Sequence, residues 1–233
     1  MKVILAGIEY VGTTTMANML RDWKTKVTGE PFAGGLIHDH SKIPHTSGHP
    51  DDTTLEEQQQ ILNLSPKLKE MYHRYSVYYH IHHYASADDL TVGLHIEESI
   101  YGRKYYGYGA PGAAFDREAT FEQMERRIKQ VTSDPVLIVH MTADASVIEQ
   151  RMDALKDSPQ HTNSPLQKAD IPEIMAEYQR LVEKSTIGPK LHVDTSVDTP
   201  DETLDNLVKQ MEPHLTYHDR ERIAAHSTAQ ATT

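Results

Sequence analysis

Three short apolar runs stand out along the chain: Lys2–Ala6 (KVILA), Thr91–Ile96 (TVGLHI) and Val136–Met141 (VLIVHM). Such runs predict strands covered on both faces, as in a parallel sheet. Pro135 marks the start of the third. KLHVD at Lys190–Asp194 is a weaker fourth candidate, and Lys26–Thr28 a short fifth. The longer stretches between them predict helices over Thr14–Trp23, Pro66–Ala85, Arg117–Val131, Ala145–Leu155, Ile171–Lys184 and Pro200–Met211. Strands alternating with helices predict an α/β fold, a doubly wound parallel sheet of five strands. No internal repeat or linker divides the chain. Phe32–Asp52, rich in Gly, Pro and His, and the polar stretch Asp157–Pro165 read as loops, and the tail after Leu215 as polar and frayed.

Composition narrows the function without naming it. The 233 residues suffice for one substantial domain, and 38% hydrophobic content supports a core. A net charge of −11 argues against general nucleic-acid binding, although a local basic pocket for a phosphorylated small molecule stays open. The absence of cysteine excludes disulfides and thiolate metal sites. No apolar run approaches the ~18 residues of a membrane span, and MKVILAGIEYVG lacks the cleavage site of a signal peptide. The expected setting is soluble and cytoplasmic.

The first strand leads into a stretch of distinct chemistry. Gly7 and Gly12 follow the strand five residues apart, and Thr13, Thr14 and Thr15 open a helix. Glycines let backbone N–H groups approach phosphates, and a helix N-terminus favours an anion. Thr14, or Thr15 beside it, stands where a hydroxyl would bind Mg²⁺. Thr13 occupies the position of the usual lysine and supplies no charge. The alternative is a tight strand-to-helix turn in which a threonine caps the helix.

Further segments stand in a telling order: VTGEPFAGG (27–35), TVGLHIEESIYGRKYYGYG (91–109), DPVLIVHMTADASVIEQRM (134–152), and EYQRLVEKS with KLHVDTSVDTPDETLDNLVKQM (177–211). Together with the first loop they resemble the thymidylate kinase and deoxynucleoside kinase group of P-loop kinases. The likeness spans residues 1–214, with a lid at about 155–170 and the tail 215–233 outside. It implies ATP and Mg²⁺ as cofactors, a nucleoside or nucleotide substrate, and pairing of two copies through the long helix Pro66–Ala85 and the Tyr-rich helix after Glu97.

The resemblance also implies roles. Glu30 would lie near the sugar hydroxyl or acceptor phosphate. Glu97, read as ending the third strand, would hold Mg²⁺ or orient the nucleophile. Arg151 would begin the lid. Three departures remove positive charge: Thr13 in the loop, Glu98 where the group has arginine, and a lid offering only Arg151, Lys156 and Lys168. Arg103 and Lys104 are candidates to restore it, or are surface residues. Tyr101, Tyr105, Tyr106 and Tyr108 are candidates to stack on a base, or are packing.

Among 15 histidines, His38, His40, His45 and His49 crowd one loop, and His73, His80, His82 and His83 one helix. No spacing matches a closed metal-ligand set, so exposed or hydrogen-bonded histidines are the simpler reading; cationic histidines near an anionic substrate are the other. Three functions follow: an ATP-dependent phosphotransferase, a kinase-fold binding protein that has lost transfer, or an enzyme using the pocket for other chemistry on a phosphorylated small molecule.

Overall fold

The computed structural model describes residues 1–32, 54–158, 161 and 163–231, together with the backbone of His38–Asp39. The loop histidines and aspartates at 40, 45, 49, 51 and 52 lie outside the described residues.

The chain runs β1 (Lys2–Ala6), α1 (Thr13–Thr28), β2 (His38–Asp39), α2 (Leu55–Leu62), α3 (Pro66–His80), β3 (Asp89–Val92), α4 (Leu94–Lys104), α5 (Arg117–Val131), β4 (Val136–Thr142), α6 (Ala145–Leu155), α7 (Ile171–Lys184), β5 (Lys190–Asp194), α8 (Pro200–Met211) and α9 (Tyr217–Ala231). Four strands form the body of a parallel sheet in the order β3-β1-β4-β5, and the two-residue β2 pairs beside β3. β1 is central, its Lys2 opposite both Asp89 and Val136. Val3, Ile4, Leu5 and Ala6 are fully buried, because helices cover both faces of the sheet.

Local chemistry explains several helix starts. The Asp116 side chain accepts from the N–H groups of Glu118 and Ala119, capping α5. Thr199 and Glu202 form a capping box at α8, with Pro200 in the first turn.

Three expectations need correction. Lys26–Thr28 is not a strand but the last turn of α1, which runs on to a Gly29 C-cap in the left-handed region. The third strand ends at Val92, not Ile96. Gly93 (φ 76) and Leu94 (φ 46) turn the chain straight into α4. The tail is not frayed over 217–231: it forms α9, which packs on α1. Thr216 and Asp219 cap that helix reciprocally. Arg222 then pins it, donating to Asp88 at 2.6 and 2.8 Å and to Asp219 at 2.7 Å.

Candidate functional site

The turn from β1 to α1 lies at the carboxyl end of the central strand, where open α/β sheets bind ligands. Its two glycines serve different needs. A Cβ on Gly7 would come 2.6 Å from the Met141 carbonyl oxygen, so close approach to β4 excludes a side chain there. Gly12 has open space around it but sits at φ 99, a conformation costly for any other residue. Gly12, not a threonine, is the N-cap of α1, and no side chain caps the helix. The threonine-capped turn is therefore not the arrangement found. Thr13 is buried, while Thr14 and Thr15 are exposed in a first turn free of acidic residues. Gly7, Gly12, Thr13, Thr14 and Thr15 thus form one structural unit.

Arg151 supports this turn from α6. Its Nη1 donates to the carbonyls of Tyr10 (3.2 Å) and Val11 (3.4 Å) and to Thr195 Oγ1 (3.0 Å), and its Nη2 donates to the Thr195 carbonyl at 2.6 Å. Thr195 Oγ1 in turn donates to the Val11 carbonyl at 3.0 Å. The guanidinium fixes the shape of the turn and stays charged, although burial pushes its pKa down. It holds the loop rather than reaching out from the start of a lid.

Two residues in this region escape sequence reasoning. Glu9, at the crest of the turn, is buried, and its Oε1 has no hydrogen-bond partner among the described residues. His161, from the stretch between α6 and α7, stacks on the Tyr10 ring with centroids 4.2 Å apart. Its Nδ1 lies 3.8 Å from Glu9 Oε2. The only sequence signal for Glu9 was one acid between two glycines. His161 gave none.

The tyrosines of the α4 region form the wall beyond Glu9. Tyr101 and Tyr106 are buried, and their hydroxyls have no partner among the described residues. Burial first, and the nearby Glu9 carboxylate second, push both phenols well above their ordinary pKa, so they stay protonated donors. Tyr105 donates to Asp170 at 2.8 Å. Tyr108 donates to Glu98 at 3.0 Å and lies against His73. Tyr101, Tyr106 and Tyr108 are core residues of the chain, as packing requires.

The remaining expected site residues lie elsewhere or are engaged. Glu97 is not at the end of a strand; it lies in the first turn of α4, buried, with its carboxylate packed against Gly93. Glu98 needs no metal to neutralise it, because the buried Arg117 donates to its Oε1 at 3.0 and 2.9 Å and to Glu70 at 3.0 Å. Arg103 pairs with Glu177 at 2.5 Å and Glu118 at 3.5 Å, and Lys104 with Glu173 at 2.7 Å, bordering a groove of about 250 Å³ between α4 and α7. Glu30 follows the C-terminus of α1 and lies 3.6 Å from Arg222 of α9. A helix of 16 residues, about 24 Å at ~1.5 Å per residue, separates it from the loop.

The helical histidines follow the simpler reading. His80 is buried with Asp89 (2.9 Å) and Thr91 (2.7 Å), and it stacks on His83. Among the described residues, no group of three or more His, Asp or Glu side chains is arranged to hold a metal ion. The expected pair, Thr14 and Glu97, joins an exposed hydroxyl to a carboxylate buried inside α4, and so does not build a metal site by itself. Nor does any helix among the described residues have the length and apolar character to cross a membrane.

Comparison with known proteins adds the fold's company. No protein-family model and no curated protein matches the sequence. Solved structures do match. The YorR protein from Bacillus subtilis, in complex with phosphorylated GDP, is 16% identical with a TM-score of 0.54, over 93% of this chain and 100% of that one. Deoxyadenosine kinase from M. mycoides with bound dCTP is 11% identical with a TM-score of 0.56, over 91% and 100%. The same enzyme with bound dATP is 10% identical with a TM-score of 0.54, again over 91% and 100%. This chain therefore carries, over nearly its whole length, a fold that solved nucleoside kinases share.

Proposed function

We propose that the chain is a kinase-fold phosphotransferase that binds ATP with its phosphates over residues 7–15 and passes the γ-phosphoryl group to a nucleoside or nucleoside monophosphate. One observation carries this reading: the N-terminus of α1 is capped by no side chain, begins at a left-handed Gly12, and faces the carboxyl end of the central strand. Uncapped N–H groups aligned with a helix dipole suit a phosphate. In the transfer, an acceptor oxygen forms the new P–O bond while the bridging oxygen leaves with ADP. Glu9, with its unpartnered Oε1, and the Tyr101 and Tyr106 hydroxyls offer the acceptor hydrogen-bonding groups. Magnesium would arrive with the phosphates and meet the Thr14 hydroxyl; no step here depends on a protein-held ion. We further propose that β2 is the short outer strand of a five-stranded sheet. For pairing of copies, α4 is unsuited because Leu94 to Gly102 are buried, whereas α3 exposes Leu68, Met71, Tyr75 and Tyr79.

A second reading, nucleotide binding without transfer, draws support from the cations. Arg103, Arg117 and Arg151 are each committed to partners within the protein. Magnesium-dependent ATP turnover against a panel of nucleosides and nucleoside monophosphates, with binding followed by calorimetry, decides between them. Transfer to an acceptor is expected. Binding without turnover would replace the phosphotransferase by the second reading, and no binding would end both.

A further inference from the structure

We infer that His161 supplies the positive charge that the phosphate-binding turn lacks, and that it contacts the ligand's phosphate groups through Nε2. The inference rests on the nucleotide-binding reading above and deepens it.

Among the described residues, the geometry places one imidazole, that of His161, against the turn. The Tyr10 and His161 rings lie 4.2 Å apart and within 23° of parallel. Tyr10 itself is in the left-handed region (φ 66), which holds the ring at the crest of the turn. The His161 backbone is tied at both sides: its N–H donates to the Ser158 carbonyl at 2.9 Å, and its carbonyl accepts from Ser164 N–H at 3.0 Å. Asn163 further donates to Gln58 of α2 at 3.3 Å. The imidazole is thus oriented by a stack, a turn and a carboxylate. Nδ1 faces Glu9 Oε2 at 3.8 Å. Nε2 has no partner among the described residues, and the side chain is 19% exposed. An imidazole whose one nitrogen faces a buried carboxylate presents the other outward in a fixed direction.

Among the described residues, the other cations of this region are engaged or exposed. Arg151 donates to the carbonyls beneath Tyr10 and Val11. Lys168 pairs with Asp153 at 2.7 Å. Lys156 is exposed at the end of α6. The groups that face His161 are Glu9 and Tyr10 from the turn, with Arg151 reaching the Tyr10 carbonyl from α6. A charged imidazole there gives a phosphate what Thr13 does not.

The test uses a ladder of adenosine, AMP, ADP and ATP, bound to the full chain and measured by calorimetry at pH 6 and pH 8.5. In the wild type, affinity should climb with each phosphate at pH 6 and climb less at pH 8.5. His161→Gln should lower ATP affinity about tenfold at pH 6, with adenosine affinity unchanged. His161→Arg should restore the ATP preference and keep it at pH 8.5. Because the His161 side chain is partly exposed and both replacements are polar, both variants should melt close to the wild type. If His161→Gln weakens adenosine and ATP equally, or changes neither, the inference falls while nucleotide binding stands. If the wild type binds no member of the ladder, the proposed function falls and takes the inference with it.

Discussion

The amino ends of β1 and β3 and the carboxyl ends of the same sheet handle charge in opposite ways. At the amino ends two buried carboxylates meet three cations. The Met1 amine lies 2.7 Å from Asp88 and 2.9 Å from Asp219, Lys24 lies 3.0 Å from Asp88, and Arg222 spans both acids. At the carboxyl ends Glu9 Oε1 has no partner among the described residues, and the Arg151 guanidinium is spent on backbone carbonyls and Thr195. A folded chain normally satisfies its buried polar atoms. The ion pairs at the amino ends mark a part built to hold, while the Glu9 end is where the proposed ligand would supply a partner.

The largest expected effect breaks the matched end. Arg222→Met leaves Asp88 and Asp219 short of a cation, and removing one partner of a buried pair costs about 3 kcal/mol. Chemical denaturation should show this loss, and hydrogen exchange should show α9 opening before the sheet. A loss below about 1 kcal/mol would mean that α9 contributes little to the fold.

Adding charge at the unmatched end should act on binding instead. Thr13→Lys restores a cation to the turn and is expected to raise ATP affinity about tenfold, or ~1.4 kcal/mol, with little change in melting temperature. Unchanged or weaker binding would show that the space is already served by another group, His161 being the named one.

The smallest effect separates the two ends by pH. Burial alone would raise Asp219, but the Met1 amine, Thr216 and Arg222 hold it down to about 2 from an ordinary 3.8. A depressed carboxylate contributes stability above its unfolded value, and that contribution is lost as pH falls from about 4 towards 2. His140, on β4, is pushed down to about 4 from 6.5, by burial first and by His192 next. It folds neutral, so its contribution is present above pH 6.5 and disappears as pH falls from 6.5 to 4. Unfolding free energies across pH 2–7 should show both steps, and Arg222→Met should shrink only the lower one.

How much of this was legible in the sequence depends on the range of the interactions. The helices Arg117–Val131 and Pro200–Met211 were readable to the residue because Asp116, Thr199 and Glu202 mark their starts within a few positions. The end of β3 was not, because TVGLHI looks continuous and the turn at Gly93 and Leu94 follows from α4 packing against the sheet. α9 read as a tail because Arg222 finds Asp88 only across the fold. Glycines and threonines of the β1–α1 turn are local and were visible. Glu9 and His161 became a pair only when a distant stretch of chain closed over the loop.

The central position of β1 has a consequence for how the molecule is made. KVILA precedes its ladder partners along the chain, which begin at Asp89 and Val136. This mostly apolar segment must therefore wait for β3 before it has one ladder partner and for β4 before it has both, since parallel pairing waits for the later strands. Assembly of the β1–α1 turn, which needs β4 beside Gly7 and Thr195 beneath Val11, comes later still. A nascent chain paused before Val136 should engage cellular chaperones and bind no nucleotide.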